Sequence, residues 1–315
     1  MKINLTRILI LNTAGILAAL PVTLHAHGFE GDTFFPPTIT ADDPFSKDEF
    51  AVSVDSFHHP APTGGILTRE TDLGWGFSKE IFPGFAVGVS DAWTYLNTPQ
   101  ANAINSFQDY VLSAKYQLWE NPEHRFILSV GGYWNIGGSG GRAIGVDSFD
   151  TLTPSIFLGK GLGDLPDSLA YLKPIVLTSV IGEVLPTKAA ASNALSYALA
   201  FEYNIGYLQQ HVRDFGIPHP FKDFIPLIEV ALNSPQNRGG GATTGSINPG
   251  ILYENPLFQI GAEAVIPINH ESGPDVSFLV NVNIFIDDLL PKLFGHPIFG
   301  SHDTETAGGA GGSAK

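Results

Sequence analysis

The sequence predicts an all-β fold, a transmembrane antiparallel up-and-down β-barrel of about 12 strands. Three observations lead there. Residues 195–207 place Leu195, Tyr197, Leu199, Phe201, Tyr203, Ile205 and Tyr207 on one parity, and Ser196, Ala198, Ala200, Glu202, Asn204 and Gly206 on the other. That period-2 pattern marks a strand with one apolar and one wet face, and its length suits a bilayer-crossing strand of about 9–11 residues. Next, the N-terminus reads as an export signal, yet no later apolar run approaches the roughly 18–20 residues of a membrane helix. Finally, the links between strand-like segments largely alternate between tight and long, as periplasmic turns and extracellular loops do.

Residues 1–26 read as a secretory signal peptide. Lys2 and Arg7 form the basic start, residues 8–20 the apolar stretch, and Ala26 a cleavage site, although Leu24 is larger than the residue usual there. An uncleaved N-terminal anchor is the other reading. Without these residues the chain carries 14 Lys and Arg against 31 Asp and Glu, a net charge of −17. That balance excludes a nucleic-acid binder, which needs a basic stripe. Only 15% of residues are charged, against about 25% in ordinary soluble domains. Cysteine is absent, which excludes disulfides, thiolate metal sites and a lipidated N-terminal Cys. Residues 27–47, with Phe34, Phe35, Pro36 and Pro37, lack periodicity and form an N-terminal arm. The arm is either a flexible leader or a plug folded into a lumen.

The barrel is expected over residues 48–287. Phe50, Val52 and Val54 alternate with Ala51, Ser53 and Asp55 in the first segment, and Leu73, Trp75 and Phe77 with glycine and serine in the second. The third carries Phe85, Val87 and Val89, then Trp93 and Tyr95, with Asp91 breaking parity at a bulge or rim. The fourth runs through Tyr110, Leu112, Tyr116 and Leu118, and the fifth through Phe126, Leu128, Val130 and Trp134. The sixth (Leu152, Ile156, Leu158) is less clean, and the seventh, residues 174–184, is apolar on both parities. Residues 195–207 are the eighth. The ninth to twelfth follow through Ile228, Ile251, Ile260 and Val280. An even count suits a closed single-chain barrel, because lipid cannot satisfy an open sheet edge.

Tight links at Pro83-Gly84, Asn121-Pro122 and Asn255-Pro256 have turn chemistry. Residues 162–172 and 208–222 are long on the side expected to be short, and residues 166–172 suit a short helix. Beyond the barrel, residues 288–315 form a C-terminal, Gly/Ala/Ser-rich, low-complexity tail that is expected to be disordered.

The polar parity directs Lys115, Arg125, Glu183, Glu202, Glu229 and Glu263 inward, where a water-filled lumen solvates such charges and lets them bias passing solutes. The other reading is a lumen packed shut by paired charges and arm residues. Gly137-Gly-Ser139-Gly-Gly141 matches the nucleophile-elbow pattern, but that motif needs a strand before it and a helix after it. Here it lies between strands, as a mobile loop would. His58, His59, His211 and His219 sit in links without a recognised ligand spacing, and Asp42-Asp43 is an equally weak calcium signal. No Walker or Rossmann glycine loop is present, so no cofactor, metal or catalytic residue is expected.

Residues 253–269 (YENPLFQIGAEAVIPIN), with a similar YQLWENP at 116–122, resemble the outer-membrane barrels grouped as the "MetA-pathway of phenol degradation" family. The resemblance covers about residues 48–287 and rests on pattern. It implies a transporter-like protein that passes small aromatic or hydrophobic compounds, with no catalytic residues to carry over. Such barrels commonly end on an aromatic residue of the last strand, whereas this chain continues to Lys315. The signal for the barrel-assembly machinery would then be residues 278–286, or Phe299.

The reading is thus an outer-membrane channel or transporter-like protein, exported through a cleaved signal peptide, whose partners are membrane lipids, the assembly machinery and small solutes. One rival is a barrel with a plugged lumen and a structural or enzymatic role, such as lipid hydrolysis, which needs a catalytic cluster at the outer rim. Another is a secreted soluble β-protein that binds ligands, which needs a second layer over the apolar parity.

Overall fold

Alternating apolar and polar residues become twelve strands that close on themselves. The computed structural model describes residues 28–59, 67–237 and 240–300. The signal-peptide reading at 1–26 and the low-complexity end at 301–315 lie outside them. The barrel strands are β1 (Glu49–His58), β2 (Arg69–Phe82), β3 (Phe85–Asn97), β4 (Val111–Asn121), β5 (Phe126–Asn135) and β6 (Thr151–Gly161), then β7 (Ile175–Pro186), β8 (Ala194–Tyr203), β9 (Phe224–Pro235), β10 (Thr244–Asn255), β11 (Phe258–Pro267) and β12 (Ser277–Phe285). Each pairs antiparallel with its chain neighbours, and β12 returns to β1 with Val280 opposite Val54. Closure leaves no unpaired edge to face lipid.

The outward parity is apolar all the way round: Leu73, Leu112, Ile156, Phe201, Ile228, Ile260 and Phe278 are exposed there. Aromatics cluster at the turn-side ends, with Trp119 against Phe126 at 5.3 Å and Phe224 against Tyr253 at 5.3 Å, as an interfacial girdle requires. The inward parity is polar and buried, with Ser129, Thr178, Glu202, Glu229, Asn248 and Gln259. No helix of the described residues is long and apolar enough to cross a membrane.

Three details differ from the sequence reading. A short extra strand, Ile104–Phe107, folds back on the loop side of β3, so β4 pairs with β3 only as far as Ser90 opposite Val111. Residues 195–207 are not one strand. β8 stops at Tyr203 because the Tyr207 N–H donates to Asn204 Oδ1 at 2.8 Å and caps a helical turn, Ile205–Tyr207. Tyr207 is consequently buried rather than lipid-facing. The first part of the tail is also ordered. After a turn of helix, Ile286–Leu289, the chain folds back along β2, where the Phe299 N–H donates to the Ile81 carbonyl at 2.9 Å and its ring meets Phe82 at 5.5 Å.

Candidate functional site

The N-terminal arm occupies the lumen. It starts with a small hairpin, Phe29–Glu30 with Thr33–Phe34, at the turn-side mouth. Asp32 there accepts a hydrogen bond from Arg125 Nε at 2.7 Å. Phe34 and Ile39 pack on Ile225, Leu227 and Leu252 of the inner wall, and Ala41 packs on Ala198 and Ala200. Burying these apolar groups stabilises docking by roughly 1.5–3 kcal/mol for a fully buried large side chain.

Polar anchors fix the arm's height in the barrel. The main-chain N–H groups of Ile39, Thr40 and Ala41 donate to the Glu229 carboxylate at 2.8, 2.6 and 2.8 Å. Thr40 Oγ1 donates to Glu263 Oε2 at 3.0 Å and accepts from Asn248 Nδ2 at 2.9 Å. Gln259 Nε2 donates to the Pro37 carbonyl at 2.5 Å. On the opposite wall Lys115 Nζ reaches Asp42 Oδ1 at 2.8 Å and the Asp43 carbonyl at 2.5 Å, while the Tyr133 hydroxyl donates to Asp42. Ser46 N–H donates to Gln117 Oε1 at 2.8 Å. Of these, the bonds at the Glu229 carboxylate and the Lys115 ammonium are charge-assisted, the stronger kind.

Strand register gathers the acids. Glu229 lies opposite Ala200 and Asn248 on its two neighbours, Glu263 lies opposite Gly250, and Glu202 lies opposite Leu227. Glu202 is 1% exposed, and neither carboxylate oxygen has a hydrogen-bond partner among the described residues. Glycines on the inward parity make room for the arm. A Cβ at Gly261 would stand 2.5 Å from Ile39 Cδ1, and one at Gly159 would stand 3.0 Å from Phe35.

Two of the sequence candidates lie elsewhere. Glu183 is exposed on the outward face, opposite Leu195 on β8. β7 is apolar on both parities, so its hydropathy did not reveal which face was which. Arg125 is not on a strand; it sits at φ 48° in the turn between β4 and β5 and holds the arm hairpin. Ser139 Oγ accepts the Tyr110 N–H at 2.9 Å and donates to the Ile136 carbonyl at 2.7 Å, which pins its loop. His58 pairs with Asp275 at 2.8 Å and His219 with Asp223 at 2.7 Å. Among the described residues no three His, Cys, Asp or Glu side chains stand together as metal ligands.

The arm separates two spaces. A cavity of about 480 Å³ on the loop side is lined by Thr40 and Asp42 together with Tyr133, Ser155, Ser196 and Asn233. A larger one of about 720 Å³ at the turn-side mouth is lined by Asp32 and Phe34. Among solved structures, an outer-membrane channel from Pseudomonas putida F1 aligns with a TM-score of 0.50 and 12% identity, over 79% of this chain and 98% of its own. The two share the closed antiparallel β-barrel fold. The KdgM porin (TM-score 0.45, 11% identity, 75% and 98% covered) and the NanC porin (0.44, 12%, 75% and 98%) also match. No protein-family model matches the chain, and no curated protein matches its sequence.

Proposed function

We propose that this protein is an outer-membrane channel for small solutes, held closed by its own N-terminal arm. The apolar outward parity and the channel-like fold support the membrane reading. The observation that carries the closed state is the Glu229 carboxylate capturing three consecutive arm amides. In this reading Lys115, Glu202, Glu229 and Glu263 line the path, and Lys115, Glu229 and Glu263 hold the arm across it. Withdrawal of residues 36–47 joins the loop-side and turn-side spaces into one acid-rich passage. The resemblance to the phenol-degradation barrels favours small aromatic or hydrophobic compounds as the solutes.

Liposome swelling tests this. Vesicles carrying the Glu229→Gln protein should admit small uncharged solutes several-fold faster than vesicles carrying the unaltered protein, because a neutral amide holds backbone N–H groups less strongly. Equal rates from correctly folded barrels would contradict the closed-channel reading.

A further inference from the structure

The segment after β12 climbs the outside of the barrel. Glu49 pairs with Ser78 and Phe50 with Phe77, so Asp48 and Lys79 stand opposite each other on the parity of Phe50 and Phe77, which is the outward one. Lys79 Nζ donates to the Asp48 carboxylate, and both side chains are largely covered. The cover is the tail. Lys79 Nζ also donates to the His296 carbonyl at 2.8 Å, and the Phe294 ring lies 6.3 Å from Phe77. A rise of about 3.3 Å per residue puts Phe77 roughly 16 Å along β2 from Phe82 at the hairpin. The tail therefore lies on the lipid-facing wall instead of hanging from the turn-side mouth.

Its backbone suits that place. Between Leu290 and Phe299, seven main-chain N–H groups donate to main-chain carbonyls, and Pro291 and Pro297 have none to satisfy. Two of these donors, Ile298 and Phe299, reach the Glu80 and Ile81 carbonyls at 3.2 and 2.9 Å, where the register between β2 and β3 shifts. Lipid offers no partner to a free N–H, so a segment beside it must satisfy its own. The side chains agree. Leu290, Leu293, Ile298 and Phe299 are exposed, Leu293 by 66%, and the Phe299 ring meets exposed Phe82 at the end of β2. The apolar surface of the tail is thus continuous with that of the barrel wall. Lys292, exposed beside Leu293, can carry its ammonium out to the headgroups.

We infer that residues 289–299 are an interfacial anchor whose partner is phospholipid. They lie against β2, with Leu293 and Ile298 at the headgroup–acyl boundary of the turn-side leaflet. The inference stands whether or not the lumen conducts.

The chain has no cysteine, so single fluorescent labels can be placed on the full-length protein. Bimane is attached at Leu293→Cys and at Ile298→Cys. Phe201→Cys on the outward wall is the lipid reference, and Asp167→Cys in an exposed turn is the water reference. Each protein is placed in phosphatidylcholine nanodiscs and quenched by acyl-chain-brominated phosphatidylcholine or by aqueous iodide, with heat-modifiable migration confirming the fold. In brominated lipid the two tail labels should be quenched within about twofold of the Phe201 label, and iodide should quench them at least about fivefold less than the Asp167 label. Lipid quenching at Phe201 with none at either tail position would overturn the inference while leaving the barrel in its membrane. Strong iodide quenching there would place the tail in water, and protection from both quenchers would place it under protein, such as a second copy of the chain.

Discussion

The Thr40 main-chain N–H donates to the Glu229 carboxylate at 2.6 Å, joining residues 189 positions apart in sequence. That contact makes the arm part of the barrel interior. Glu229→Ala removes the acceptor for three amides, and hydrogen bonds to charged groups are each worth about 1.5–3 kcal/mol. The arm should loosen while the barrel stays closed. A Thr40→Cys protein should therefore react with a water-soluble thiol reagent at least tenfold faster when Glu229→Ala is present, a conservative bound given those energies. Unchanged labelling would mean that the arm is held by its apolar contacts alone.

The outward face makes a second prediction. Phe201 is 46% exposed and Glu202, next to it, 1%. Phe201→Arg should cost about 2–4 kcal/mol if it lies near the bilayer midplane. Glu183 is already a charge on that face near the loop-side end of β7, where the cost falls to about 0–1 kcal/mol, so Glu183→Gln should change little. Guanidinium unfolding in liposomes measures both. Equal effects at the two positions would contradict the assignment of faces.

The glycine loop gives a third. A Cβ at Gly140 would stand 2.3 Å from the Gln108 carbonyl, and the Gly140 N–H donates to Asp109 Oδ1 at 2.8 Å. Gly140→Val should push the loop off the short strand and expose residues 136–150 to protease, with heat-modifiable migration retained. Protection equal to the unaltered protein would show that the loop has another resting place.

Docking of the arm hairpin should depend on pH. Burial first, then repulsion from Glu120, push the Glu30 carboxyl up to about 7 from its ordinary 4.5, against the Asn121 backbone N–H. A raised carboxyl favours docking below 4.5, and that contribution is lost as pH rises towards about 7. Asp32 has the opposite sign. Partial burial alone would raise it, but the Arg125 hydrogen bond and charge, with His211 beyond, hold it below its ordinary 3.8. Its contribution is complete at neutral pH and fades only below that value. Amide exchange over residues 28–35, corrected for intrinsic rates, should show weaker protection at pH 8 than at pH 5. Glu30→Gln should abolish the difference. A difference that survives Glu30→Gln would assign the dependence elsewhere.

Strand positions were legible because a barrel wall repeats one physical rule. Leu112, Phe201 and Ile260 face lipid and their neighbours face inward, so ten of the twelve segments announced themselves locally, the sixth and seventh less clearly. Parity failed where both faces are apolar, as around Glu183, and where a local hydrogen bond ended a strand early, as at Asn204. The arm was harder to read. Phe34, Ile39 and Ala41 have no period because they fit a concave interior, and their partners at Ile225, Ala200 and Glu229 are distant in sequence. A signal was nonetheless present: an apolar leader beside inward-parity glycines, Gly159 and Gly261, which leave space in a lumen that larger side chains would fill.

Single-channel current across a planar bilayer tests the central claim most directly. Protein lacking residues 28–45, verified as folded by heat-modifiable migration, is compared with the intact chain. Closure by the arm predicts little or brief current through the intact protein and a sustained, larger current once the arm is removed. A correctly folded, armless barrel that carries no more current than the intact one would contradict it.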